Sequence, residues 1–182
     1  MVRLFKLEPQ NGFKTNPIDQ GKPILTLEGH CDGVNCVDFS PDEKLLVSSS
    51  IDSSCIIFNV DLASRTKGQR LHKLTFSDGL NDAKNLLMRG CFFSRDGQHV
   101  YTLATAIKKP SYLIQWENRS GFSQKEKQCE PVNVAMVHAN TATGLRVSPS
   151  GEQIGVMTSD GFIKVLPRKA VKTGKVSAFT VA

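Results

Sequence analysis

The sequence lacks paired cysteines, long apolar runs and clustered metal ligands. Its five cysteines are odd in number and form no Cys-x-x-Cys motif, which predicts free thiols in a reducing compartment. They are Cys31, Cys36, Cys55, Cys91 and Cys129. No apolar stretch has the length of a membrane span, and the first residues lack the pattern of a secretory leader. These absences argue against a disulfide-stapled or membrane-spanning fold.

Catalytic motifs are absent as well. There is no Gly-rich phosphate loop of the GxxxxGK type, and no histidine stands in a Ser/Cys nucleophile motif. Four scattered histidines do not supply a zinc site, and each is interpreted as structural. The histidines are His30, His72, His99 and His138. We therefore expect no catalytic residue, no cofactor-binding residue, no cofactor and no metal ligand.

Charge is present but unevenly placed. The formal net charge is +6, and the segment 161–182 carries five basic residues and no acid. They are Lys164, Arg168, Lys169, Lys172 and Lys175. Basic ends can bind nucleic acid or anionic membranes, but no aromatic side chains alternate with these charges as a stacking platform. The pattern favours a solvated loop, and nucleic acid is not the expected partner.

A turn motif repeats at a fixed interval. Ser40-Pro41-Asp42 is matched by Ser94-Arg95-Asp96-Gly97 and by Ser148-Pro149-Ser150-Gly151, each 54 residues further on. His30 and His138 each lie ten residues before such a turn. Each turn follows one short apolar strand and precedes another, which is typical of a WD repeat, one blade of a β-propeller. An unrelated β-sandwich is the alternative.

We therefore predict an all-β fold: a partial WD-repeat β-propeller of about three and a half four-stranded antiparallel blades. The predicted blades divide one domain, 1–182, into a half blade and three whole ones. Their bounds are 1–27, 28–76, 77–136 and 137–182. The half blade has a third strand at 2–7, a loop at 8–23 and a fourth strand at 24–27. Further outer strands are predicted at 71–76, 132–137 and 176–181.

The histidines predict a hydrogen-bond network within each blade. His30 is expected to reach Asp52, and His138 to reach Asp160 with Thr158 as a third member. In the second blade Lys84 occupies the histidine slot. Such networks tie loops to strands in a small sheet that has few apolar residues.

Two features of the second blade stand out. Trp116, the only tryptophan, occupies the Trp slot of the repeat and is interpreted as core or network packing. The usual Asp turn is replaced by Lys108-Lys109-Pro110, whose cations and proline predict a loop that projects into solvent. That loop is interpreted either as a partner contact or as a solvated turn.

The order of these segments resembles the prolactin regulatory element-binding protein family. The resemblance rests on 2–7 before the Leu-Glu-Gly-His unit, on the basic-Pro-Tyr-Leu-x-x-Trp segment at 108–116, and on the Gly-Phe-Ile-Lys-Val strand at 161–165. It implies a cytosolic seven-bladed propeller with a C-terminal membrane helix at the endoplasmic reticulum. It also implies guanine nucleotide exchange on a Sar-type small GTPase in COPII vesicle formation, with other COPII components as further partners.

The resemblance carries over no site residue. Exchange in that family depends on an N-terminal loop that holds a potassium ion, and no residues here match it, so we expect the loop upstream of Met1. Membrane contact is expected only through a segment beyond Ala182. Half a blade plus three leaves two open faces, so we expect this chain to be inactive by itself and prone to aggregation. The alternative function is a non-enzymatic WD-repeat scaffold.

Overall fold

The computed structural model describes residues 1–5, 23–77, 86–117, 122, 129–173 and 179–181. Strands dominate these residues, and the one helix among them is short, so the predicted all-β class is confirmed. The strands are β1 (Val2–Leu4), β2 (Leu25–Leu27), β3 (Val34–Phe39), β4 (Leu45–Ser50), β5 (Ser54–Asn59), β6 (Arg70–Thr75), β7 (Leu87–Phe93), β8 (His99–Thr105), β9 (Ser111–Glu117), β10 (Glu130–His138), β11 (Ala142–Val147), β12 (Gln153–Thr158), β13 (Ile163–Pro167) and β14 (Phe179–Val181). The helix is α1 (Arg168–Thr173).

The strands form three four-stranded antiparallel sheets and one two-stranded sheet. We name the sheets β3–β6, β7–β10 and β11–β14 blades A, B and C, and the pair β1–β2 the half blade. In each blade consecutive strands pair in chain order, with β3, β7 and β11 as the first strands. This is the partial propeller that the repeats predicted. Three predicted features lie outside the described residues: residues 8–22 of the predicted loop at 8–23, Lys84, and the start of the strand at 176–181.

The three repeated serines build the same turn three times. In blade A, Ser40 Oγ donates to Asp42 Oδ1 at 2.5 Å and accepts the Leu45 N–H at 2.9 Å. Ser94 makes the matching bonds to Asp96 and to the His99 N–H. In blade C, Ser148 Oγ lies 3.0 Å from Ser150 Oγ and accepts the Gln153 N–H. A short polar side chain that bonds its own turn explains why the motif recurs at each strand connection.

Apolar side chains pack between neighbouring sheets. One cluster joins blades A and B around Trp116, a second joins blades B and C, and a third joins the half blade to blade A. Inner strands approach so closely that a Cβ on Gly90 of β7 would lie 2.7 Å from the Leu145 Cβ of β11. Sheet-to-sheet packing of this kind, repeated from blade to blade, is what stabilises such an array.

The basic segment 161–182 corrects one prediction. After β13 it continues as helix α1 (Arg168–Thr173) rather than as a solvated loop, because Val171, at 1% exposure, packs into the cluster between blades B and C. Two of its cations also have partners: Lys164 Nζ donates to the Val137 carbonyl at 3.1 Å, and Arg168 lies 3.7 Å from Glu152. Of the described helices, none is long and apolar enough to cross a membrane.

Candidate interaction surface

His30 is the centre of a hydrogen-bond network at one end of blade A. Its Nδ1 lies 2.9 Å from Asp52 Oδ2, and its Nε2 lies 2.7 Å from Ser48 Oγ. Asp52 also accepts the Ser54 hydroxyl at 2.6 Å and the Cys31 N–H at 2.9 Å. The predicted His30–Asp52 pair is confirmed, and it fixes the loop before β3 against the β4–β5 turn.

The network holds the Asp52 carboxyl in its charged form. Burial alone would raise its pKa, but hydrogen bonds from Ser54, the Cys31 N–H and His30 outweigh burial and lower the pKa to about 2. Because the carboxylate is then an acceptor, His30 Nδ1–H donates to it. Asp52 is therefore a permanent charged acceptor at neutral pH.

Blade C repeats the pairing with fewer members. His138 Nε2 lies 2.9 Å from Asp160 Oδ2, and the Thr158 hydroxyl donates to the same carboxylate. The bond from Thr158 is the main cause that lowers the pKa of Asp160. The predicted trio is confirmed. It is not extended further, because Val156 stands at the position that Ser48 occupies in blade A.

Blade B has hydroxyl side chains at the β8–β9 turn, where blade A has Asp52 bonded to His30. Thr105 Oγ1 lies 2.8 Å from Ser111 Oγ across the β8–β9 turn, and the Ser111 hydroxyl donates to the Asn140 carbonyl at 2.8 Å. Trp116 is 1% exposed and donates its Nε1–H to Thr102 Oγ1 at 2.8 Å. The predicted packing role of Trp116 is confirmed.

The β8–β9 loop is thereby attached to the next blade. The Lys108 N–H donates to Thr141 Oγ1 at 3.0 Å, and the Thr141 hydroxyl donates to the Ala106 carbonyl at 3.1 Å. Lys108 also has φ 55°, a left-handed conformation that a non-glycine residue adopts only when its surroundings hold it there. The loop is a fixed projection between blades B and C.

This projection presents one apolar side chain beside two cations. Ile107 is 75% exposed, and Lys108 and Lys109 are also exposed. We name Ile107–Lys109 the basic ridge. The prediction that the loop projects into solvent is confirmed, whereas Thr141 and Ile107 were missed. The signal for Ile107 was an apolar residue directly before two lysines in a turn; Thr141 gave no signal, because its contact crosses from one blade to the next.

The remaining histidines do not build an accessible reactive site. His72 is buried, with its Nε2 3.0 Å from the Phe122 carbonyl and its Nδ1 3.4 Å from Cys129 Sγ. Sequence reasoning missed this Cys–His contact because the residues are 57 positions apart. Both side chains are over nine-tenths buried, so a substrate does not reach them. His99 lies 3.9 Å from Asp96 at the opposite end of the blade.

Across the described ranges, no three His, Cys, Asp or Glu side chains gather in a position that could hold a metal ion. No step of the function proposed below depends on a metal ion.

Comparison with known proteins matches this geometry. Residues 21–59 match the family described as WD domain, G-beta repeat. Over 38 residues the chain is 55% identical to POC1 centriolar protein homolog B of Xenopus laevis. The matched stretch makes up 21% of this chain and 8% of that protein. The crystal structure of the RRP9 WD40 repeats is similar with a TM-score of 0.61 at 19% identity, over 85% of this chain and 40% of that one. The chain thus spans less than half the length of the relatives that it matches.

Proposed function

We propose that this chain, whose residues 21–59 match the WD-repeat family, acts as a protein-interaction platform whose partner is a Sar-type small GTPase, and that it is part of an exchange factor that promotes release of GDP. The observation that carries the proposal is the basic ridge, an exposed Ile-Lys-Lys projection that hydrogen bonds hold between blades B and C. The family resemblance at 108–116 includes the two lysines of this ridge. The resemblance also supports a location at the cytosolic face of the endoplasmic reticulum membrane, with other COPII components as further partners.

Nucleotide exchange needs no covalent chemistry from the exchange factor. The factor must bind the nucleotide-free GTPase more tightly than the GDP-bound form, and this difference in affinity expels GDP. A rigid surface with a defined projection suits that task better than a set of nucleophiles. The described residues supply such a surface, and their one Cys–His contact is buried.

The side chains of the ridge have the character of an interface contact. An exposed isoleucine can fill an apolar pocket on a partner, and the flanking lysines favour an acidic rim around that pocket. Because Thr141 already holds the loop, little conformational freedom is lost when the ridge binds. We infer that the partner presents an apolar site bordered by acidic side chains.

The test compares binding of the 182-residue chain to a Sar-type GTPase in its nucleotide-free and GDP-bound forms. We expect tighter binding to the nucleotide-free form, by at least about ten-fold, or about 1.4 kcal/mol. Equal affinity for both forms would refute exchange but would leave the interaction platform standing. Absence of binding to either form would refute this partner.

A scaffold without exchange activity is the second candidate. It is favoured by the family match at 21–59, because WD repeats as a class are interaction platforms and the match does not include the ridge. The same binding measurement separates the two candidates, because exchange requires tighter binding of the nucleotide-free form and a scaffold does not. Equal affinity for the nucleotide-free and GDP-bound forms in a chain that binds the GTPase would favour the scaffold.

A further inference from the structure

Three cysteines meet where blades A and B pack together. Cys36 on β3 and Cys91 on β7 face each other across the junction: Cys36 Sγ lies 3.6 Å from the Cys91 carbonyl oxygen, and Cys91 Sγ lies 3.7 Å from that of Cys36. Cys55 on β5, fully buried, completes what we name the thiol cluster. All are free thiols in this structure.

Neighbouring hydrogen bonds fix the orientation of Cys36 and Cys91 towards each other. Asn35 Nδ2 donates to the Met88 carbonyl at 3.0 Å, and the Phe93 N–H donates to Asp38 Oδ2 at 2.8 Å. These contacts lie on either side of the thiols along β3 and β7. The two inner strands are thus held in register at the cysteines, so the sulfur atoms meet in the folded chain rather than by chance motion.

The two thiols differ in their readiness to ionise. The hydrogen bond from Cys91 lowers the pKa of Cys36 most; burial opposes it, and the Cys91 backbone and Arg146 add to the lowering, giving a pKa of about 6. Burial raises the pKa of Cys91 well above its usual value. At neutral pH, Cys36 is therefore mainly a thiolate and Cys91 a thiol.

Cys36 is also more accessible to solvent than Cys91. Cys36 is only half-buried, whereas Cys91 is 4% exposed and Cys55 is 0% exposed. A small neutral oxidant reaches Cys36 first, because thiolate character and access coincide there. Cys31, which is exposed but stands outside the cluster, is an internal control for access alone.

We propose that Cys36 and Cys91 are an oxidation site that takes hydrogen peroxide and closes a disulfide between blades A and B. The Cys36 thiolate attacks one peroxide oxygen, the O–O bond breaks, and the leaving hydroxide takes a proton to become water, which leaves Cys36 as a sulfenic acid. Cys91 gives up its proton and attacks that sulfur; the S–S bond forms, the S–O bond breaks, and a second water leaves. In sum, two thiols and one peroxide become one disulfide and two waters.

The test treats the reduced 182-residue chain with one equivalent of hydrogen peroxide, blocks the remaining thiols and digests with a protease that cleaves before aspartate. Asp32 separates Cys31 from Cys36, so each cysteine falls in its own peptide. We expect loss of two of the five thiols, a peptide pair joined through Cys36 and Cys91, and recovery of both thiols with dithiothreitol. The melting temperature of the oxidised chain should be higher than that of the reduced chain, because the new disulfide links residues 55 positions apart.

Variants assign the roles. Cys36→Ser should abolish the loss of thiols, and Cys91→Ser should leave a sulfenic acid at Cys36 that dimedone traps; Cys91→Ala replaces it if the serine variant does not fold. Cys31→Ser should behave as the parent chain does. Oxidation of Cys31 before Cys36, a disulfide from Cys36 to Cys55, a disulfide between two chains, or no loss of thiols would each overturn the proposal.

Discussion

Blades A and C carry the same histidine–aspartate pair in different surroundings. In blade A the Asp52 side chain is 7% exposed and accepts bonds from three other residues, whereas in blade C the Asp160 side chain is 35% exposed and has two such partners. The sequence motif is the same, but the number of hydrogen-bond partners and the burial of the aspartate determine how much the pair stabilises its blade. A pair that is buried and fully bonded stabilises a fold more than one that water can replace.

The largest effect is expected at Asp52. Asp52→Ala leaves the His30 imidazole and the Cys31 N–H without their acceptor in a buried site, so the free energy of unfolding should fall by about 1–3 kcal/mol. Chemical denaturation at pH 7 measures this. A fall below about 0.5 kcal/mol would show that the network is not a source of stability.

The pH dependence of this contribution follows from the lowered pKa of Asp52. A folded-state pKa of about 2, below an unfolded value of about 4, means that the stabilisation is full above about pH 4 and is lost as the pH falls towards 2. The difference in unfolding free energy between the parent chain and Asp52→Ala should narrow over that interval. A difference that is constant from pH 6 to pH 2.5 would contradict the assignment.

Blade B offers an intermediate case, because its network rests on Trp116 rather than on histidine. Trp116→Phe keeps an aromatic ring in the core but removes the donor to Thr102, so we expect a loss of about 1 kcal/mol. Thr102→Val is the matched variant on the acceptor side. If the bond is the cause, the double variant should lose less than the two single losses added together.

A smaller effect is expected at Asp160. Asp160→Ala should lower the melting temperature by less than Asp52→Ala does, because water can reach His138 through the more exposed turn of blade C. Thermal unfolding of the two variants side by side gives the ranking. An equal or larger shift for Asp160→Ala would break the comparison between the blades.

The smallest effect on stability is expected at the basic ridge. Reversing both charges, Lys108→Glu with Lys109→Glu, should leave the free energy of unfolding within about 0.5 kcal/mol and slow association with the GTPase by roughly ten-fold at low salt. Arg65→Glu with Lys67→Glu makes the same charge change in an exposed loop at the opposite end of blade A. If both pairs slow association equally, the ridge is not a specific contact.

The fold and the two histidine pairs were predictable because they repeat. The interval between Ser40, Ser94 and Ser148 aligned the blades, and the same interval placed His30 and His138 before matching turns. The members of each pair are 22 residues apart, so local spacing is enough to bring them together. Repetition in the sequence is what makes such short-range geometry predictable.

Contacts between blades were not predictable in the same way. The bond from Lys108 to Thr141 and the meeting of Cys36 with Cys91 join residues of different sheets, and nothing in the spacing of either pair marks it. Helix α1 was missed for another reason: its basic residues indicated solvent, while the buried residue Val171 decides its packing. Tertiary contact prevails over local pattern at these places.

The most direct test of the proposed function is the affinity of the chain for a Sar-type GTPase in its nucleotide-free form, compared with its affinity for the GDP-bound form. For the parent chain we predict an affinity for the nucleotide-free form that is at least about ten-fold higher, weaker binding by the Lys108→Glu/Lys109→Glu chain, and parent-like binding by the Arg65→Glu/Lys67→Glu chain. A parent chain that binds both forms with equal affinity would contradict the account.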